Sequence, residues 1–164
     1  YGAQRGVLIV QGDADSRACV RLSGADVIFG GEIRQPVDDS SGILGTHANL
    51  KGYACEYMTS GRVLILGDPG PYAFSGMTGG VVYQQLSPEM GFDVEALRRR
   101  LGKGAKVAIE PVEADDVPDV QELLGYYTQA LERTDQADVA DRMHALSRPG
   151  VIRERFVKVV PVRS

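Results

Sequence analysis

The sequence predicts a mainly β fold: a right-handed parallel β-helix, followed by a C-terminal helical cap and a final strand. The first observation is a repeat, because the segments that start at Ala54 and Ala73 share a Met-Thr-x-Gly turn and an apolar strand at an offset of 19 residues. The second is that weaker copies occur upstream at similar spacing. The third is that most of the 20 glycines lie in the first half, where they mark the corners of these copies. Self-similarity at such a period is typical of solenoids.

The strand positions of the copies fall into columns. One apolar column contains Leu8, Val27, Val63 and Val82, and the column two residues later contains Val10, Phe29 and Ile65. Residues two apart on a strand face the same side, so both columns are predicted to line one dry interior. Each buried Val, Leu or Ile stabilises the fold by roughly 1.5–3 kcal/mol. A further column, Val7, Asp26, Arg62 and Val81, includes charged residues and is predicted to face outwards.

The repeat divides the chain into two parts. Residues 1–86 are predicted to form the stacked coils, with one degenerate coil in the middle. Residues 32–52 are polar and rich in turn-forming residues, so we expect a surface insertion there. Loops carry function more often than cores, which makes this insertion the segment most expected to be particular to this protein. Residues 87–164 are predicted to cap the coils.

The cap is predicted to contain helices and two strands. Asp93 begins a short helix through Leu101, and a strand covers 106–112. Two amphipathic helices follow, the first capped by Asp115 or Asp116 and the second by Thr134 or Asp135. Arg148-Pro149-Gly150 is predicted to end the second of these helices, and a final strand is predicted at 156–160. The run Arg98-Arg99-Arg100 is predicted to be a solvated helix end.

The turn signature resembles a known family. The runs ACEYMTSGRVLILG and AFSGMTGGVVY resemble the C-terminal β-helix of the glutamate synthase large (alpha) subunit. ADSRACVRLSGADVIFGGEI resembles the preceding coil of that family, and FVKVVPVRS resembles its closing strand. The resemblance implies a domain that packs between the ammonia-producing and flavin domains and helps to hold their geometry. It also implies that FMN and an iron–sulfur cluster are carried by other domains, so this chain is expected to bind no cofactor.

Composition restricts the partners and the compartment. A net charge of −4 argues against nucleic-acid binding. No apolar run approaches the roughly 20 residues that span a bilayer, and no signal peptide is recognisable. Cys19 and Cys55 occupy one repeat column and are predicted to be small buried residues with free thiols, which favours the cytoplasm. A chain that begins at Tyr1 is expected to be a piece of a longer protein.

The sequence contains no pattern that identifies a catalytic, cofactor-binding or metal-ligating residue. His47 is predicted to be a loop residue, with a ligand contact as the alternative, and His144 is predicted to lie on a helix surface. Gly76, Gly79 and Gly80 are not followed by the Lys-Ser/Thr of a phosphate loop, so they are predicted to be turn corners. Asp26 and Arg62 are too sparse for the carboxylate clusters of polysaccharide-cleaving β-helices.

Three functions follow as hypotheses. The first is a non-catalytic docking domain that holds the other domains or subunits of a glutamate synthase-like enzyme in place. The second is a component of another complex, similar to formylmethanofuran dehydrogenase or methylglutamate synthase, because β-helix components of such enzymes share the glycine and Met-Thr-Gly signature. The third is an independent ligand-binding or enzymatic β-helix. A homo-oligomer is compatible with each of the three hypotheses.

Overall fold

The structure is a computed structural model that describes residues 6–10, 23–33, 54–55, 57–71, 73–102, 105–134 and 136–162. The strands are β1 (Val7–Val10), β2 (Ser23–Phe29), β3 (Ser60–Ile65), β4 (Val81–Gln85), β5 (Val107–Pro111) and β6 (Phe156–Pro161). The helices are α1 (Val94–Arg99), α2 (Val117–Arg133), α3 (Ala137–Leu146) and α4 (Pro149–Arg155). Short 3₁₀ turns at Pro88–Met90 and Ala114–Asp116 precede α1 and α2.

All six strands form one mixed sheet in the order β1-β2-β3-β4-β6-β5. The first four strands are parallel, whereas β6 is antiparallel to both of its neighbours. The registers confirm the columns predicted from the repeat. Leu8 lies opposite Val27, Val27 opposite Val63, and Val63 opposite Val82. Paired residues are 19 apart in sequence between β1 and β2 and between β3 and β4, but 36 apart between β2 and β3. Because β2 and β3 pair directly, the predicted degenerate coil adds no strand between them.

One face of the sheet packs on the turns that precede β3 and β4, and we call this layer the turn-side core. Its strand residues include Val27, Val63 and Val82, and α1 contributes Ala96 and Leu97. Its turn residues are Ala54, Cys55, Met58, Ala73, Phe74 and Met77. All of these residues are buried, so the methionines of the repeated turn, Met58 and Met77, fill the core.

The opposite face packs on α2, α3 and α4, and we call this layer the helix-side core. Its strand residues include Ile28, Leu64 and Tyr83. The residues that form the apolar stripe of α2 are 2% exposed or less: Val120, Leu123, Leu124, Tyr127 and Leu131. In α3, Met143 and Leu146 are buried as well. The amphipathic stripes therefore face the sheet, as expected for surface helices.

The predicted fold class, a mainly β right-handed parallel β-helix, is wrong. Over the described residues the fold is mixed α/β, with 39% helix and 30% strand, and the one sheet they form is open rather than wound into a solenoid. The physical reason is that the strands are apolar on both faces, as in the run Val63-Leu64-Ile65-Leu66, all of it buried. A strand covered on both faces reads as such a continuous run. The second apolar face needs a helical layer, which gives the mixed arrangement.

The C-terminal part follows the predicted order with one addition. Asp93 caps α1, since its side chain accepts a hydrogen bond from the Ala96 N–H at 3.0 Å. The two predicted strands are confirmed as β5 and β6. The second helix, α3, ends at Leu146, just before Arg148-Pro149-Gly150 as predicted, and Pro149 then begins the additional helix α4, because proline is favoured in the first turn of a helix. The division of the chain at residue 86 stays a prediction.

Candidate functional site

The two turns that carry the repeated signature lie against each other. We call them the stacked turns, and their described residues are 54–55, 57–58 and 73–77. The Tyr57 N–H donates to the Ser75 carbonyl at 2.8 Å. The second and fourth positions of both turns are left-handed, with φ of 56° at Cys55, 58° at Tyr57, 67° at Phe74 and 68° at Gly76. A left-handed residue other than glycine costs on the order of 1 kcal/mol or more. The stacking therefore holds three strained residues in one repeated shape.

Gly79 lies where the chain leaves the second of the stacked turns. A Cβ atom built on Gly79 would lie 1.9 Å from the Thr59 carbonyl oxygen, a distance that no side chain can occupy. The close approach lets the N–H groups of Thr78 and Gly79 donate to the Met58 carbonyl at 2.9 and 3.3 Å. Gly79 therefore serves backbone packing, as the turn interpretation predicts.

A buried ion pair closes the turn-side core. Arg100 Nε donates to Asp68 Oδ1 at 2.7 Å, and Arg100 Nη2 donates to Asp68 Oδ2 at 3.0 Å. The two side chains are 1% and 6% exposed. Arg100 also donates to the Ala96 carbonyl at 2.8 Å, and its guanidinium lies 5.2 Å from the centroid of the Phe92 ring. The pair therefore joins the segment after β3 to the end of α1.

This ion pair was not predicted from the sequence. The prediction of a solvated helix end is right for Arg98 and Arg99, which are exposed, and wrong for Arg100, which is buried. The burial of Arg100 could have been predicted, because Arg100 follows the apolar Ala96 by four residues and Leu97 by three. Such spacing places it on the buried side of the helix.

A second arginine ties the sheet to α2. Arg62 donates to both oxygens of Asp26 at 2.9 and 2.7 Å and to Asp119 Oδ1 at 3.0 Å, and it also contacts Glu122. The Tyr83 hydroxyl donates to Asp119 Oδ2 at 3.2 Å. We call these five residues the Arg62 cluster. The Arg62 and Asp26 side chains are only 22% and 18% exposed, so these two members of the column predicted to face outwards lie beneath α2 instead. Val7, at the end of the same column, is 45% exposed.

Two groups of the Arg62 cluster, Arg62 and Tyr83, have shifted pKa values. The hydrogen bond to Asp26 is the largest contribution that raises the pKa of Arg62 above its ordinary value. Burial, followed by the negative charge of Asp119, raises the pKa of Tyr83 above its ordinary value as well. Arg62 therefore stays charged and Tyr83 stays neutral near pH 7. Such a cluster is suited to joining strands to a helix rather than to transferring protons.

The remaining candidate residues occupy structural positions where the structure describes them. The His144 side chain is 63% exposed on α3 and lies 3.3 Å from Glu132, which confirms the helix-surface prediction. Cys55 is a buried free thiol, as predicted. His47 and Cys19 lie outside the described residues, as does nearly all of the predicted insertion at 32–52. Within the described ranges, no group of three or more potential metal ligands occurs, and no helix has the length and apolar character to cross a membrane.

Exposed apolar side chains mark two ends of the sheet. Val7 and Leu8 of β1 are 45% and 57% exposed, and we call this pair the β1 edge. Val162, which follows β6, is 54% exposed. A groove of about 950 Å³ lies beside Val162 and is bordered by Gly79 and Lys106. Neighbouring apolar side chains exposed together, as at the β1 edge, are typical of surfaces that another protein covers, whereas a single exposed apolar residue such as Val162 is ordinary.

Comparison with known proteins gives a consistent result. A family model described as the GXGXG motif matches residues 1–162. The chain is 28% identical over 162 residues to the glutamate synthase (NADPH) large chain of Bacillus subtilis, covering 98% of this chain and 9% of that protein. It is 33% identical over 163 residues to the glutamate synthase (NADH) of Schizosaccharomyces pombe, covering 98% and 6%. It is 35% identical over 104 residues to the ferredoxin-dependent glutamate synthase of Cyanidium caldarium, covering 60% and 6%.

These relatives are much longer than this chain, which spans 9% of the first and 6% of the other two. The resemblance to glutamate synthase large chains, first drawn from the turn signature, is thereby confirmed. That signature coincides with the stacked turns.

Proposed function

Because this chain belongs to the GXGXG motif family, we propose that it is a non-catalytic docking domain of a glutamate synthase-like enzyme. It holds other domains or subunits in position while the complete assembly makes glutamate from glutamine. FMN and an iron–sulfur cluster belong to those other parts of the assembly. Support comes from the relatives, which contain a segment similar to nearly this whole chain within much longer proteins.

The β1 edge is the observation that carries the proposal. Within the described residues β1 pairs only with β2, so its other side offers unpaired backbone groups. Leu8 is 57% exposed, whereas Val27, its partner across the sheet, is 2% exposed. An apolar strand edge favours association with another polypeptide. A neighbouring domain that covers Leu8 would extend the turn-side core by one more layer.

The interior of the domain supports a role as a rigid support. The sheet is buried on both faces, and the stacked turns bond to each other through their backbones. Asp68 and Arg100 fix the turn side, while Arg62 joins the sheet to α2. Buried polar networks whose members are satisfied stiffen a core. Such a body transmits the position of one attached domain to another.

The test is the substitution Leu8→Glu in the complete enzyme that contains this chain. A charge at the covered edge is expected to lower both recovery of the assembly on gel filtration and glutamine-dependent glutamate formation by about tenfold or more. The 164-residue chain alone should keep its thermal unfolding midpoint, because Leu8 is exposed there.

The matched control is Val162→Glu, which places the same charge on a similarly exposed apolar residue next to the opposite end of the sheet. It is expected to leave assembly and activity near the wild-type level. Wild-type assembly and activity with Leu8→Glu, or equal losses in both variants, would refute docking through the β1 edge.

A further inference from the structure

A cleft on the helix side combines arginines with an unpaired buried acceptor. It has a volume of about 350 Å³ and lies between the second half of α3, α4 and the end of β4. Its lining includes Glu32, Gln85, Arg142, Arg148, Val151 and Arg155. We call it the arginine cleft. None of these residues belongs to the β1 edge or to the Arg62 cluster.

The side-chain oxygen of Gln85, in the arginine cleft, has no hydrogen-bond donor among the described residues. The residue is 8% exposed, and its Oε1 atom is buried without a hydrogen-bond partner within the described structure. A buried acceptor left unsatisfied destabilises a protein, so such atoms call for an explanation. A bound group that donates an N–H to this oxygen would satisfy it.

The charges around the arginine cleft favour an anion. Arg142 Nη2 lies 3.0 Å from Glu32, and Arg155 Nη1 lies 2.9 Å from Glu89. Arg148 has no carboxylate within ion-pair distance among the residues described. Three guanidinium groups and two carboxylates leave one positive charge, on a chain whose net charge is −4. Guanidinium groups bind carboxylates through paired hydrogen bonds.

The walls of the arginine cleft favour a polypeptide over a small molecule. The side chains of Arg142 and Arg155 are 61% and 38% exposed, so they do not enclose a ligand. A small ligand is usually buried by about 70–90% of its surface. Met143, Leu146 and Val151 add apolar contact area beside the arginines. An extended segment offers acidic side chains, apolar side chains and backbone N–H groups together.

We infer that the arginine cleft binds an acidic segment of a neighbouring domain or subunit. A carboxylate of that segment pairs with Arg148, and a backbone N–H donates to Gln85 Oε1. This inference rests on the proposed docking function and adds a second contact surface, remote in sequence from the β1 edge.

The test uses the full 164-residue chain and a fluorescein-labelled peptide of alternating glutamate and leucine, followed by fluorescence polarisation. A peptide with glutamine in place of glutamate is the matched probe. Arg148→Glu is expected to weaken binding of the acidic peptide by about tenfold or more. It should not unfold α4, since an acidic residue is favourable at a helix N-terminus. Arg153→Glu, on an exposed position of the same helix, is the control and should bind almost as wild type does.

Gln85→Met separates binding from folding. It removes the unpaired oxygen while keeping a similar volume, so the thermal midpoint should hold or rise while peptide affinity falls several-fold. Affinity should also fall as NaCl is raised, because exposed ion pairs are screened.

Three results would overturn the inference: no binding of the acidic peptide, equal losses in Arg148→Glu and Arg153→Glu, or equal binding of the glutamine peptide. Free glutamate or acetate that displaces the peptide at comparable concentration would also overturn it, and would identify a small-carboxylate site instead. Because the measurement does not involve the assembly, its failure leaves the Leu8→Glu result unaffected.

Discussion

The two faces of the sheet bury similar strands but manage charge in opposite ways. On the turn side, Arg100 and Asp68 form a balanced pair in which both side chains are at most 6% exposed. On the helix side, Arg62 meets three carboxylates, and two of them belong to side chains that are about half exposed. An uncompensated charge is expensive where water is excluded and inexpensive near the surface. Opposite charges are therefore paired one to one on the turn side, where water is excluded. On the helix side, where the carboxylates are partly exposed, the numbers of positive and negative charges can differ.

The faces also differ in regularity. The turn-side core repeats itself, because the stacked turns share backbone angles and pack under equivalent strand residues. The helix-side core contains three helices of different lengths with no repeat. We therefore expect substitutions on the turn side to cause larger losses of stability than comparable substitutions on the helix side.

Arg100→Met should show the largest effect, because it leaves the Asp68 carboxylate buried without its partner. The free energy of unfolding is expected to fall by about 3–5 kcal/mol, measured by urea denaturation near pH 7. Arg98→Met is the control, since the Arg98 side chain is 56% exposed, and it should change stability by less than about 0.5 kcal/mol. Equal small losses in the two variants would mean that the buried pair does not stabilise the turn side.

Gly79→Ala should come next, because the added carbon would overlap the Thr59 carbonyl unless the stacked turns separate. We expect a loss of about 2–3 kcal/mol in urea denaturation. Gly125→Ala is the matched change on the helix side, where nothing lies within 4 Å of the added carbon and the backbone is helical. That variant should gain up to about 1 kcal/mol. A neutral Gly79→Ala would contradict the close approach of the two turns.

Arg62→Met tests the unbalanced cluster. It leaves Asp26, Asp119 and Glu122 near one another without the cation, and we expect a loss of about 1–2 kcal/mol. The loss should shrink in about 0.5 M NaCl, because salt screens both the attraction in the wild type and the repulsion in the variant. Glu122→Gln is the control and should have little effect. A loss of unfolding free energy as large as that of Arg100→Met would contradict the expected difference in stability between the two faces.

Lys158→Met should give the smallest effect, about 1 kcal/mol or less, and the effect should depend on pH. Lys158 Nζ donates to Asp116 at 2.8 Å. Burial acts to raise the pKa of Asp116, but the hydrogen bonds from Lys158 and from the Glu113 backbone outweigh burial and lower it. The hydrogen bond to Asp116 is the main cause that raises the pKa of Lys158.

The sign of this pH dependence follows from the two shifts. The Asp116 contribution is present above its unfolded pKa of about 3.9 and is lost as the pH falls through the lower folded pKa. The Lys158 contribution is present below its unfolded pKa of about 10.4 and is lost as the pH rises through the higher folded pKa. The difference in unfolding free energy between wild type and Lys158→Met should therefore be widest between about pH 5 and 9. Lys106→Met, on an exposed residue, should show no such maximum, and a flat difference in Lys158→Met would argue against the contact.

Part of the fold could be read from the sequence. The offset of 19 residues predicts Val82 as one neighbour of Val63 in the parallel ladder, and the offset of 36 residues, about two repeats, predicts Val27 as the other, because residues that stack must have compatible size. This spacing does not determine whether the sheet winds into a solenoid or stays open. That depends on what covers the second face, and Ile28, Leu64 and Tyr83 provide an apolar face that a helix can cover.

The individual sites were harder to predict for a different reason. Arg62 and Arg100 each depend on partners between 32 and 60 residues away in sequence, such as Asp68 and Glu122. No local pattern specifies such pairs, although the helical spacing of Arg100 indicates its burial. The arginine cleft is also assembled from distant segments, which come together only once β4, α3 and α4 have packed.

The placement of β6 has a consequence for the synthesis of this chain. Within the described residues, β5 reaches the sheet only through β6, although β5 is made first. On a translating ribosome, the parallel strands can pair as they emerge, whereas β5 has no strand to join until Phe156–Pro161 leaves the exit tunnel. Until then the free side of β4 is open to other nascent chains, so rapid arrival of the last strand protects the domain from misassembly.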